Sequence, residues 1–189
     1  HFVVDVFQTG SGTSTNMNAN EVISNRAIEI LGGKLGSREP VHPNDHVNLG
    51  QSSNDVIPTS IHLAALLTIK EDLIPGLEFL ADELSKKSDE FWPVVKTGRT
   101  HLQDATPVRL GQEVKGFAGQ AAYSVQRLPR AKGAMAEVAL GGTAVGTGVN
   151  THEEFSARTC KTVSEASGVL IKETANHFQA QASLDALVE

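Results

Sequence analysis

Cysteine is almost missing from this chain: Cys160 stands alone among 189 residues. A lone cysteine rules out an internal disulfide framework and fits a reducing compartment. A basic excess is missing too. The formal net charge of −6 argues against a general nucleic-acid surface, which needs a positive field. A polyanion, if one binds, must enter a local pocket. No apolar run approaches the roughly 18 residues of a membrane span, and nothing resembles a signal peptide. There is no internal repeat and no low-complexity linker. What remains is a globular composition, 40% hydrophobic and 20% charged, with enough length for one sizeable core or parts of two. The ends carry no punctuation. The chain opens at His1 inside the apolar run FVVDVF and closes at DALVE in a helix-like pattern without a stop signal. This pattern predicts an internal piece of a longer protein.

One arrangement recurs: a loop rich in Gly, Ser, Thr and Asn, then a long helix. QTGSGTSTNMN (8–18) precedes a helix expected over 19–31, ending at Gly32-Gly33. LGQSSND (49–55) precedes a helix expected to reach Phe91, with Pro75 kinking or splitting it. Its apolar stripe is Ile61, Ala65, Ile69, Leu73, Leu77, Leu80 and Leu84. KTGRTHLQDATP (96–107) precedes a helix expected from Pro107 to Leu140. Val114, Ala121, Leu128 and Met135 recur there every seven residues, and Pro129 should bend it. LGGTAVGTGVN (140–150) precedes Thr151 and Glu154, the T-x-x-E of a capping box. FVVDVF and PVVK are the only strand candidates. The expected fold is mainly all-α, a long-helix bundle, and such helices bury more than one face, so self-association is expected.

Each loop has two readings. Unpaired N–H groups and the partial positive charge at a helix start, with glycine and hydroxyl donors, can hold a carboxylate or phosphate. Ser, Thr and Asn also simply cap helices. Four such loops favour function. GSGTSTN lacks the third glycine of a dinucleotide fingerprint, and GGTAVGTG has Thr147 where a P-loop needs lysine. That last loop reads better as a tight turn. His42 and His46 stand four apart, but Pro43, Asn44 and Asp45 favour a turn over a metal pair. His101 is the candidate acid–base residue, with Thr100 before it and Asp104 close behind. His62, His152 and His177 lie in helical pattern and read as structural. Cys160 reads as a small core residue.

The four loops together carry a family resemblance. QTGSGTSTNMNANEVISNRA, VHPNDHVNLGQSSNDVIPT, KTGRTHLQDATPVRLGQE and GGTAVGTGVNT resemble class II fumarases of the fumarase/aspartase superfamily, over essentially the whole chain. The resemblance implies reversible addition of water to fumarate, giving L-malate, without a metal or organic cofactor. It implies a homotetramer with active sites built from loops of different subunits, in the cytoplasm, or in the mitochondrial matrix of a eukaryote. Residues 1–53 would end the amino-terminal domain and 54–189 would begin the central helical domain. Substrate contacts carry over to Ser11, Gly12, Thr13, Ser52, Ser53, Asn54 and Thr100, and the active-site histidine to His101. A peripheral dicarboxylate site carries over to His42, Pro43, Asn44 and Asp45. The family's serine-base loop, GSSxMPGKxNP, has no counterpart here, so this chain alone is expected to be nearly inactive. Aspartase is the rival within the superfamily; it tends to have Gln at the position of His101 and Thr at that of Ser53. A non-catalytic dicarboxylate-binding helical scaffold is the rival from another class.

Overall fold

The computed structural model describes residues 2–188. The chain is mainly helical and divides into two compact units, residues 1–65 with 134–189, and residues 66–133.

In the first unit, α1 (Thr13–Ile30) begins six residues earlier than the pattern suggested, because Gly12, with φ 67°, turns the chain at its N-cap. Its buried stripe is Asn16, Asn20, Ser24 and Ile28, four apart and mostly polar. That stripe holds the segment that follows. Asn20 donates to Asn48 Oδ1 at 2.9 Å and Ser24 donates to the Val41 carbonyl at 2.7 Å. Between these anchors, residues Pro43–Val47 make a single π-helical turn.

α2 (Ser53–Thr68) leads into a π-helical turn, Ile69–Leu73, and then α3 (Ile74–Glu90). The run that Pro75 was expected to kink or split is thus divided just ahead of the proline. The wide turn lies just before it and absorbs the hydrogen bond that a proline cannot donate.

In the second unit the opening of the third loop is a hairpin, not a bare loop. β1 (Val95–Thr100) pairs antiparallel with β2 (Gln103–Arg109). Pro107, expected to open a helix, sits inside β2. A two-stranded ribbon consists only of edges, where a missing N–H is tolerated. α4 accordingly starts at Leu110 and runs unbroken through Pro129 to Met135. Gly111 lets α4 lie on the end of α3. A Cβ there would run into the Ser88 carbonyl, and Ser88 Oγ donates to the Gly111 carbonyl at 2.8 Å. The core of this unit is thin: Leu66, Ala118 and Ala121 are buried, while Phe79, Phe117 and Tyr123 are more than half exposed.

The chain then returns to the first unit. β3 (Glu137–Val138) pairs parallel with β4 (Lys172–Glu173), flanking α5 (Phe155–Ser167). Ile28, Val138, Ala139, Cys160 and Ile171 fill its core. α6 (His177–Ala182) follows. FVVDVF forms no strand; its Phe2, Val3, Val6 and Phe7 are exposed. The capping box expected at Thr151–Glu154 is also absent. α5 begins at Phe155, with Glu154 at the N-cap and no side-chain cap. His152 lies before that helix rather than in it. No described helix is long and apolar enough to cross a membrane.

Candidate active site

The first unit brings two helix N-termini together. Thr13 opens α1 and Ser53 opens α2, and their hydroxyls lie 3.2 Å apart. Ser11 extends the row, 3.3 Å from Thr13 Oγ1 and 3.0 Å from Thr9 Oγ1. Gly12 must be glycine here. Besides its positive φ, an added Cβ would lie 2.7 Å from Ile57 Cδ1. A cleft of about 450 Å³ opens over these groups, lined among others by Ser11, Ser53, Asn54, Val145 and Phe178. Two helix starts and a row of hydroxyls place convergent N–H and O–H donors at one spot, the arrangement that suits a carboxylate.

Ser52, Ser53, Asn54 and Asp55 form an S-x-x-D capping box that the sequence reading passed over. Ser52 Oγ accepts from the Asn54 N–H at 3.2 Å, and Asp55 Oδ1 accepts from the Ser52 N–H at 2.9 Å. Asp55 is fully buried, and its other oxygen accepts from the N–H groups of Gly141 and Thr143, each at 3.0 Å. The glycine loop is thus more than a turn between helices. Asn54 Nδ2 donates to the Ala144 carbonyl at 2.6 Å. Gln181, which also lines the cleft, donates to the Thr143 carbonyl at 2.6 Å. Phe178 and Gln181 were unreadable from sequence, since α6 is short and its residues join the cleft only through the fold.

Thr100 and His101 belong to the second unit. They lie at the tip of the β1–β2 hairpin, where His101 and Leu102 have φ of 47° and 61°. Two successive positive φ values follow the type I′ pattern, which normally selects Asn-Gly. Non-glycine residues held there are strained, and such strain collects at functional sites. His101 is exposed, and its side chain has no hydrogen-bond partner among the described residues. Asp104, the carboxylate expected to support it, pairs instead with Arg99 Nε at 3.1 Å.

The His42 turn is self-contained. His42 Nδ1 accepts from the N–H groups of Asn44 and Asp45, at 3.3 and 3.2 Å, and lies 3.3 Å from Asp45 Oδ2. His46 Nδ1 accepts from the His42 N–H at 2.8 Å. Pro43 is buried beneath the turn. Both Nδ1 atoms are engaged by backbone, and among the described residues no group of three His, Cys, Asp or Glu is placed to hold a metal. Cys160 is buried as expected. Burial pushes its thiol pKa up, Glu173 adds to the rise, and a hydrogen bond with Ser156 opposes it. His62 is likewise buried, with Nδ1 3.0 Å from the carbonyls of Met135 and Glu137.

A mainly helical fold with donor-rich helix starts suits the binding of a carboxylate. The family model described as Lyase matches residues 1–189, and the chain belongs to that family. Across its whole length it is similar to class II fumarate hydratases. It is 61% identical to that of Halobacterium salinarum over 98% of this chain and 39% of the relative. It is 55% identical to the mitochondrial fumarate hydratase of Rattus norvegicus over 100% of this chain and 37% of the relative. The crystal structure of the class II fumarase from Schistosoma mansoni superposes with a TM-score of 0.90 at 40% identity, covering 98% of this chain and 42% of that one. The chain thus spans about two fifths of the length of these relatives.

Proposed function

We propose that this chain is part of a class II fumarate hydratase, interconverting fumarate and L-malate by acid–base catalysis without a metal or organic cofactor. The observation that carries the reading is the meeting of the α1 and α2 N-termini at a row of hydroxyls, Ser11, Thr13 and Ser53. Such a site holds a carboxylate present in both substrate and product. In this reading Gly12, Ser52, Asn54 and Thr100 complete the substrate contacts. In the direction from malate to fumarate a base takes the proton next to one carboxylate, and negative charge builds on that carboxylate. Fixed N–H and O–H donors stabilise this charge without reorganising. The hydroxyl on the neighbouring carbon leaves as water, with a proton passed through a water held by His101. The base itself is a serine on a loop of the parent protein outside these 189 residues, so the chain alone turns over little or nothing.

The same reading makes residues 1–53 the end of an amino-terminal domain and 54–189 the start of the central one. It makes the assembly a homotetramer whose sites combine loops of different subunits, in the cytoplasm or the mitochondrial matrix. The exposed apolar residues of α3 and α4, Phe79, Phe117 and Tyr123 among them, suit a bundle completed by other subunits. His42, Pro43, Asn44 and Asp45 form the peripheral dicarboxylate site. An ultraviolet assay of the full-length parent, offered L-malate and L-aspartate separately, tests the reading. Fumarate from malate alone is expected. Fumarate from aspartate alone would make the protein an ammonia-lyase, and none from either would leave a dicarboxylate-binding scaffold.

A further inference from the structure

Asp55 carries more of this site than a helix cap does. One oxygen closes the capping box on Ser52, and the other reaches across the sequence to two backbone N–H groups of the glycine loop. All three partners are backbone donors, and the side chain is wholly removed from water. The loop it holds is strained: Thr143 has φ 55° without being glycine. Asp55 fixes the N–H of Thr143, and Gln181 fixes its carbonyl. The next carbonyl, Ala144, is then where Asn54 Nδ2 finds its acceptor. The bonds form a closed circuit from Asp55 through the loop and back to the neighbouring residue, Asn54. An unpaired loop of this conformation would relax, and the orientation of Asn54 would relax with it.

We propose that Asp55 is a positioning residue for the dicarboxylate site: by clamping residues 141–144 against the start of α2, it sets the donor geometry of Ser53 and Asn54. The inference rests on the hydratase reading for its substrate, but not for its geometry. Of the two carboxylates, the one away from the proton being removed keeps its charge throughout, and we assign that one to Ser53 and Asn54. Contacts to it stabilise ground and transition states alike, so their loss raises KM and largely spares kcat.

The test uses the full-length enzyme, with Asp55→Asn and Asp55→Ala. Asn keeps the volume and one acceptor oxygen but turns an N–H₂ toward a backbone N–H. The readouts are steady-state kinetics with L-malate, the inhibition constant of succinate as an unreactive dicarboxylate, and hydrogen exchange of peptides covering 139–149. Misplacing donors to a charged group is worth about tenfold or more in affinity. We therefore expect KM for malate and the succinate constant to rise together by about tenfold in Asp55→Asn, with kcat changed less than about threefold. Exchange at 141–144 should quicken in the same variant. Asp55→Ala should exceed Asp55→Asn in each effect; if Asp55→Ala does not fold, the isosteric variant decides. Faster exchange or a lower melting temperature with KM and the succinate constant unchanged would reduce Asp55 to a structural strut and overturn the proposal. Wild-type protein that binds succinate without converting malate overturns the hydratase reading alone, and the succinate constants of the variants still decide the role of Asp55.

Discussion

The two halves of the candidate chemistry are built in opposite ways. In the first unit the donors of Ser11, Thr13, Ser53 and Asn54 are held in place by neighbours, down to a buried carboxylate beneath them. In the second unit His101 stands exposed at a hairpin tip, on a strained backbone, with no side-chain partner among the described residues. Under the proposed hydratase reading, the binding half is preorganised within one unit of one chain, and the proton-handling half is displayed for partners that come with substrate and other subunits. A carboxylate site profits from fixed donors, because their orientation is settled before the ligand arrives. An acid–base group must still meet its proton donor and acceptor.

Four substitutions in the full-length protein sharpen that contrast. His101→Asn should lower turnover by about 100-fold or more, with KM and the melting temperature nearly unchanged; unchanged turnover would remove His101 from the reaction. Asn54→Ala should act in the opposite sense, raising KM for malate by roughly 10- to 100-fold, the loss expected for a hydrogen bond to a charged group. A kcat loss equal to that KM effect would mean that the binding half is not merely binding. Gly111→Ala forces a methyl group against the Ser88 carbonyl and should cost about 1–3 kcal/mol of stability, read as a lower melting temperature. The smallest effect belongs to His42→Asn. The new side-chain carbonyl can still accept from Asn44 and Asp45, so turnover should stay within about twofold, as a peripheral site requires. A large loss would move this turn into the main site.

Two capping boxes show what the sequence could and could not reveal. The pattern S-x-x-D at 52–55 and T-x-x-E at 151–154 are the same signal, yet only the first forms. The pattern names a possible local bond; whether the helix starts there depends on what the chain packs against. The helices themselves were readable, because 3.6-residue periodicity is local. Of the hairpin only the start was readable: PVVK reaches into β1 at Val95 and Lys96. Its strands are polar, its turn is His-Leu rather than Asn-Gly, and Pro107 suggested a helix start. From composition the hydroxyl-rich loops read equally as anion cradles or as plain helix caps. That 8–18 and 49–55 meet at one cleft, while 96–107 lies in the other unit, depends on tertiary contacts that composition does not encode.

The burial of Cys160 has a practical corollary. At 2% exposure, with its thiol held protonated beyond the ordinary range, it should ignore maleimide dyes at neutral pH. Leu102, beside His101, is 94% exposed. Within these 189 residues, Leu102→Cys would give the hairpin tip a fluorophore of its own against a dark background.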